Sequence, residues 1–347
     1  MKKKILIAPL NWGLGHATRC IPIIKALIEA NFKPILASDG DALTLLQKEF
    51  PQLTSYQLPS YQIEYSKKNN LKYKLLLSTP KILKAIRQEK KAVEEIIAKE
   101  NVSGIISDNR FGVRSAKTPS VYITHQLNVL SGNTTLITSK IHQQIISKFD
   151  ECWVPDGMSE FNLSGELSSV KKKQLKVKFI GTLSRFKKQA IIKKIEVLIV
   201  LSGPEPQRSI LEKKLLVQLK KTNKKVVLVR GIITNKKLPS VTENLTIVNY
   251  MLTEQLEQAI NESEVVLARS GYSTIMDLEK LEKKAFFIPT PGQFEQEYLA
   301  SRMDKLGIAP FVHQDDFRMQ LLDYIKNYKG FRTTETKKLN SDLFTIF

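Results

Sequence analysis

His16 is the residue of this chain best suited to move a proton near neutral pH, because an imidazole can stay uncharged there and keep a lone pair for a hydroxyl proton. It stands in the segment Asn11-Trp12-Gly13-Leu14-Gly15-His16-Ala17-Thr18-Arg19, which follows the apolar run Lys4–Pro9 and leads into a helical pattern. Gly13 and Gly15 let the backbone turn tightly and approach a ligand, and the start of a helix offers N–H groups to an anion or hydroxyl. Two phosphate motifs are excluded. No Lys-Ser/Thr follows the glycines, as a P-loop requires, and the third glycine of the dinucleotide fingerprint is missing. The other reading of His16 is a side chain that caps or orients its loop. Asp108 follows the apolar run Gly104–Ser107, where it could orient the imidazole or cap a helix or turn.

A second segment reads Ala268-Arg269-Ser270-Gly271-Tyr272-Ser273-Thr274-Ile275-Met276-Asp277-Leu278. A strand ending at Ala268, a turn of small residues and a helix starting near Ser273 would cradle a diphosphate with N–H groups and hydroxyls. Asp277, about one turn into that helix, could accept both hydroxyls of a ribose; its other role is interaction with the helix dipole. Asp39-Gly40-Asp41 has the form of an Asp-x-Asp metal motif, but a turn plus an N-cap accounts for both acids. No His/Cys ligand cluster stands elsewhere, so no metal is expected.

The elements that must position these residues follow from the apolar pattern. Strands are expected at Lys4–Pro9, Pro34–Ser38, Gly104–Ser107, Ser120–Thr124, Glu151–Val154, Val197–Leu201, Val226–Val229, Val265–Ala268 and Ala285–Pro289. Helices are expected near 17–30, 81–99, 134–148, 208–221, 253–261, 273–282 and 294–306. That alternation predicts an α/β protein with parallel sheets covered by helices on both faces, in which ligands sit beyond the carboxyl ends of the strands. A chain of 347 residues favours two domains. The spacing gives residues 1–170 as one doubly wound domain, a basic linker over 171–195 carrying ten Lys/Arg and no acid, a second such domain over 196–333, and a polar, loose tail over 334–347.

With 42% hydrophobic and 25% charged residues the chain is globular rather than disordered, and its net charge of +20 favours an anionic partner. Two cysteines, Cys20 and Cys152, make neither a disulfide framework nor a zinc cluster, which suits a reducing compartment. The apolar run Ile5–Leu10 is too short for a signal-peptide core, and no uncharged stretch of about 18 residues is available to span a bilayer.

Taken together, the Gly-x-Gly-His loop, the Arg-Ser-Gly-x-x-Thr turn and the later Pro…Glu-Gln segment resemble the MurG-type glycosyltransferases of the GT-B fold, including their family 28 C-terminal domain. The resemblance runs from about residue 5 to 312. It implies two Rossmann-like domains facing each other across a cleft. It also implies an inverting, metal-independent transfer of a hexose or N-acetylhexosamine from a nucleotide diphosphate sugar, UDP-linked by analogy, to a hydroxyl acceptor. No cofactor beyond that donor substrate is implied.

Carried over by position, Ser270, Gly271, Ser273 and Thr274 would hold the diphosphate with Arg185 nearby, and Asp277 the ribose. Glu295 and Gln296 would contact the donor sugar, and the backbone at Tyr250 and Met251 would read the base. In the first half His16, held by Asp108, would be the catalytic base, and Gly13, Gly15, His125 and Asn128 would line the acceptor site. One departure stands out. Where the family has a Gly-Gly-Ser turn, this chain has Ser202-Gly203-Pro204-Glu205, which removes one N–H donor and adds a negative charge near the phosphates.

Residues 67–91 carry nine Lys/Arg against one acid, Glu89, interleaved with apolar side chains. Such a stretch could rest on an anionic bilayer and present a lipid-linked acceptor, or be an ordinary helix with a solvated lysine face. The expected location is cytoplasmic, with peripheral contact at the inner face of the membrane as the extension of that reading. A nucleotide-sugar epimerase or hydrolase of the same fold is the alternative activity. Nucleic-acid binding has only the net charge in its favour.

Overall fold

The computed structural model describes residues 2–61, 71–158, 162–169, 175–234, 243–333 and 339–347, with side chains of the helix start at 71–82 left aside. The chain divides into two compact units. The first runs as far as Leu183 and takes in the C-terminal residues 339–347; the second covers 184–333.

The first unit is built on a seven-stranded parallel sheet, β1 (Lys4–Pro9), β2 (Lys33–Ser38), β3 (Ser55–Gln57), β4 (Val102–Asp108), β5 (Ser120–Ile123), β6 (Glu151–Val154) and β7 (Val177–Phe179). Their order is β3-β2-β1-β4-β5-β6-β7, so the chain reverses direction across the sheet between β1 and β4. The helices are α1 (Gly15–Glu29), α2 (Gly40–Glu49), α3 (Leu71–Glu100) and α4 (Thr135–Ile146). Ile5, Leu6, Ile7 and Ala8 of β1 are fully buried, as a central strand covered on both faces must be.

In the second unit the strands are β8 (Ile195–Val200), β9 (Val226–Val229), β10 (Leu245–Val248), β11 (Ser263–Ala268) and β12 (Lys284–Phe287). They form a five-stranded parallel sheet in the order β10-β9-β8-β11-β12, with the reversal between β8 and β11. Helices α5 (Gln207–Leu219), α6 (Thr253–Glu262), α7 (Tyr272–Lys280) and α8 (Phe294–Lys305) complete it.

Two expectations are corrected here. Of the tail, the described residues 339–347 are not loose. Phe344 is 2% exposed, with its ring 5.9 Å from that of Phe32 and 6.1 Å from that of Trp153. Phe347 lies directly on β4, where a Cβ at Gly104 would come within 2.2 Å of its ring, and its carbonyl accepts from Lys3 Nζ at 2.6 Å. Phe344→Ala is therefore expected to cost about 3–4 kcal/mol of unfolding free energy, measured by urea denaturation; a loss under 1 kcal/mol would return the segment to a loose tail. The basic stretch after 170, for its part, includes a paired strand, because β7 adds to the edge of the first sheet beside β6.

Candidate active site

The order of the first sheet decides what stands beside His16. β1 and β4 pair in parallel with Pro9 opposite Asp108, and the Leu10 N–H donates to the Asp108 carbonyl at 2.9 Å. The loop after β1 and the last residue of β4 thus meet at the strand reversal, where doubly wound sheets bind ligands. Gly13 turns the loop at φ +75°, and α1 begins at Gly15. His16, Arg19 and Cys20 lie on one face of that helix by their i, i+3, i+4 spacing.

Asp108 is fully buried. Its Oδ1 lies 2.8 Å from His16 Nδ1, and its Oδ2 accepts from Arg19 Nε at 2.5 Å while Arg19 Nη2 donates to Oδ1. Asp108 therefore orients the imidazole rather than capping a helix. Burial pushes its carboxyl up, but the charges and hydrogen bonds of Arg19 and His16 outweigh that and hold it well below the ordinary carboxylate range. The Cys20 thiol, 3.6 Å from Asp108 Oδ2, is pushed well above its ordinary value by burial and by that carboxylate, so it is not a thiolate.

Arg19 is the residue that the sequence reading leaves out. It is 2% exposed, and besides Asp108 it reaches His125, with Nη1 3.1 Å from His125 Nδ1. Its signal was a charged residue on an otherwise apolar helix face, between Ala17 and Cys20 and Ile21. His125, just beyond β5, thus joins the cluster. Asn128 does not. Its amide hydrogens go to the carbonyls of Glu166 (2.8 Å) and Ser169 (3.0 Å) and its Oδ1 faces Gln143 Nε2 at 3.4 Å, so its side chain ties the 165–169 turn to the loop after β5.

Asp39 precedes α2, but its carboxylate does not cap that helix. It accepts from Arg110 at 2.7 Å and from Asn11 at 3.2 Å, and Asn11 Oδ1 takes the Ala42 N–H instead. Among the described residues no group of three or more His, Cys, Asp or Glu is gathered as metal ligands, and no helix is long and apolar enough to cross a membrane. Of the basic stretch 67–91, residues 67–70 lie outside the described residues; from Leu71 on it is part of α3, with Leu83, Lys84 and Arg87 exposed and Ala85 and Glu89 buried.

In the second unit the same reversal brings the turns after β8 and β11 together, since Val200 is opposite Ala268. Gly271 precedes α7 at φ −71°, a value any residue adopts, and a Cβ there would meet nothing closer than Thr274 Oγ1 at 4.0 Å. Neither backbone nor packing requires a glycine at this helix start; what its absent side chain leaves is open space in front of N–H groups. Ser270 differs from its expected part. It is fully buried and its hydroxyl donates to the Gln296 carbonyl at 2.7 Å. Gln296 likewise turns inward, its Oε1 accepting from the Thr290 N–H at 2.8 Å. Both side chains fix α8 against the turn, which leaves Gly271, Ser273, Thr274 and the half-buried Glu295 as the outward part of the set.

Arg269 lies beneath the turn, 1% exposed and with no carboxylate partner among the described residues. It donates to the carbonyls of Ile288, Pro289 and Gln207 and to Gln314 Oε1 at 2.6–3.1 Å, and burial lowers its pKa to about 10. It fastens together the ends of β11 and β12 and the start of α5. Glu205 folds back onto that helix start, accepting from Arg208 Nε at 2.7 Å and from the Ser209 N–H at 3.2 Å. Its negative charge, expected near the phosphates, is thereby paired within the protein.

Asp277 accepts from Ser184 Oγ at 2.6 Å, which ties α7 to the segment that opens the second unit and carries Arg185. Burial raises its carboxyl to about 6, against the pull of Arg185 and Ser184. The folded state then holds this proton more tightly than the unfolded chain, so a stability cost grows as pH rises from about 4 to about 6 and is fully present at pH 7. Asp277→Asn is expected to raise stability at pH 7 by on the order of 1–2 kcal/mol and to change it little at pH 4; equal Tm values for the two proteins at both pH values would contradict this. Tyr250 and Met251 follow β10, three strands from β11 and so about 14 Å across the sheet.

Two parallel doubly wound units with their clusters at the strand reversals define the GT-B class. Residues 197–342 match the glycosyltransferase family 28 C-terminal domain. An uncharacterized glycosyltransferase of Methanosarcina acetivorans is 25% identical over 336 residues, 88% of this chain and 84% of its own length. The UDP-N-acetylglucosamine--N-acetylmuramyl-(pentapeptide) pyrophosphoryl-undecaprenol N-acetylglucosamine transferase of Haemophilus ducreyi is 22% identical, covering 93% of this chain and 88% of its own. Among solved structures, the kitacinnamycin glycotransferase superposes with a TM-score of 0.62 (13% identity, 94% of this chain, 90% of that one), and Acinetobacter baumannii MurG with 0.54 (14% identity, 95% and 93%). This chain is a glycosyltransferase of the GT-B fold, a class served by nucleotide-sugar donors, and its residues 197–342 match the family 28 C-terminal domain.

Proposed function

We propose that the protein transfers a hexose or N-acetylhexosamine, with inversion and without a metal, from a UDP-linked donor to a hydroxyl on a lipid-linked acceptor at the cytoplasmic face of a membrane. The observation that carries the catalytic part is the 2.8 Å contact between His16 Nδ1 and the buried, ionised Asp108. It turns the ring so that Nε2 keeps a lone pair. The acceptor hydroxyl gives its proton to that nitrogen, and its oxygen forms the new bond to the anomeric carbon. The bond from that carbon to the diphosphate oxygen breaks, and its electron pair leaves with the nucleoside diphosphate.

Negative charge grows on the leaving diphosphate. Gly271, Ser273 and Thr274 at the start of α7 meet it with N–H groups and hydroxyls, and Arg185 adds positive charge. Asp277 accepts the ribose hydroxyls, Tyr250 and Met251 face the base, and Glu295 contacts the sugar. Gly13, Gly15 and His125 line the acceptor side. UDP as carrier and a lipid pyrophosphate as acceptor draw support from the Haemophilus relative's name, and the net charge of +20 suits both an anionic acceptor and an anionic membrane surface.

A thermal-shift comparison of UDP-, GDP-, ADP- and dTDP-sugars without added metal tests the donor assignment. Stabilisation by the UDP-sugars above the others is the expected result, since a ligand bound only by the native state raises its apparent stability. Preference for another nucleotide would replace UDP, and stabilisation by single-stranded DNA with none from any nucleotide would overturn the reading.

A further inference from the structure

We propose that the buried Arg19–Asp108 pair sorts the two imidazoles beside it into opposite tautomers, Asp108 holding the proton on Nδ1 of His16 and Arg19 holding it on Nε2 of His125, which makes Arg19 the positioning residue for His125. The argument is one of donors and acceptors. A guanidinium has five N–H donors, no acceptor, and a permanent charge. Its Nη1 stands 3.1 Å from His125 Nδ1, so that ring nitrogen presents its lone pair and the ring proton sits on Nε2. Asp108, ionised, only accepts. Its Oδ1 stands 2.8 Å from His16 Nδ1, so there the proton sits on Nδ1 and the lone pair falls to Nε2.

Arg19 Nη2 donates to Asp108 Oδ1 and also lies 3.0 Å from His16 Nδ1; the carboxylate, which can only accept, is the nearer of the two at 2.8 Å, so the ring proton stays on Nδ1 and points to Oδ1. A carboxylate alone would orient one histidine. The buried Arg19–Asp108 pair orients two in opposite senses, one as an acceptor and one as a donor.

This inference rests on the reading of His16 as the base only for its use in catalysis; the tautomers themselves can be observed without substrate. The four histidines of the chain allow nitrogen-15 imidazole spectra of the full-length protein at pH 8 to be assigned by single His→Gln variants. The expected spectrum has His16 protonated at Nδ1 and His125 at Nε2. In Arg19→Met, His125 is expected to lose its single tautomer and give a mixture, while His16 keeps Nδ1–H. Arg19→Lys retains the charge without the planar fork and is expected to disorder His125 in the same way, which serves if the Met variant does not fold. An Nδ1–H tautomer for His125 in the wild type, or an unchanged His125 in a folded Arg19 variant, would overturn the proposal. Sorted tautomers together with full transfer by His16→Ala would instead leave Arg19's role standing and remove the base assignment.

Discussion

His16→Ala slows sugar transfer by roughly 10²- to 10⁴-fold, the range a positioned general base contributes, and leaves nucleotide affinity unchanged. Both halves of that result follow from the division of the chain. His16 and Asp108 belong to the first unit, whereas Gly271, Ser273, Thr274 and Asp277 belong to the second. Neither Cys20 nor Asp108 can replace the lost base: the Cys20 thiol is held protonated by burial and by Asp108, and Asp108 itself binds its proton too weakly to take one from a hydroxyl. Steady-state kinetics paired with nucleotide titration reads both quantities. Wild-type turnover by the variant would end the assignment, and loss of nucleotide binding would show that the substitution acts through folding.

Asp108→Asn removes about 3–5 kcal/mol of stability, because it leaves the Arg19 cation buried without its counter-charge. Arg19 is 2% exposed and Asp108 fully buried, so solvent cannot make up the loss. The same pair sets a pH dependence. The folded carboxyl lies below its unfolded value, so the stability it adds is complete above about pH 4 and fades as pH falls through the lower folded value. Urea melts at pH 7 should show the large difference, and acid titration should show a shallower stability loss in the variant. Equal midpoints at pH 7 would mean that the pair contributes nothing net.

What could be read in the sequence had its cause in local pattern. β1 is a continuous apolar run because it is buried on both faces, and α1 and α7 follow their strands across short loops, so the local pattern alone sets His16 and Gly271 at strand-to-helix turns. The missed strands, β3, β7 and β10, are short edges, β10 being Leu-Thr-Ile-Val beside β9. β3 is Ser-Tyr-Gln, and β7 is Val-Lys-Phe within a basic run; neither carries the apolar signal of a central strand, and both exist because a neighbouring strand offers its free edge. The tail Ser-Asp-Leu-Phe-Thr-Ile-Phe reads as loose because four apolar residues among polar ones acquire meaning only beside Phe32, Trp153 and the bare backbone at Gly104.

The site followed the same rule. Asp108 was legible as a strand-end carboxylate, but its choice between orienting a ring and capping a helix depended on the register that sets it beside the loop after β1. Ser270, Gln296 and Asn128 carry the right residue types and turn inward, since each has a backbone partner that no spacing in the sequence discloses.

Calorimetric titration of UDP into the wild-type protein and into Asp277→Ala, without added metal, tests the central claim most directly. A saturable site in the wild type that weakens at least tenfold in the variant, with both proteins folded, is the predicted result. Equal affinity in the two proteins, or no nucleotide binding by the wild type, would contradict a nucleotide-sugar donor held at α7.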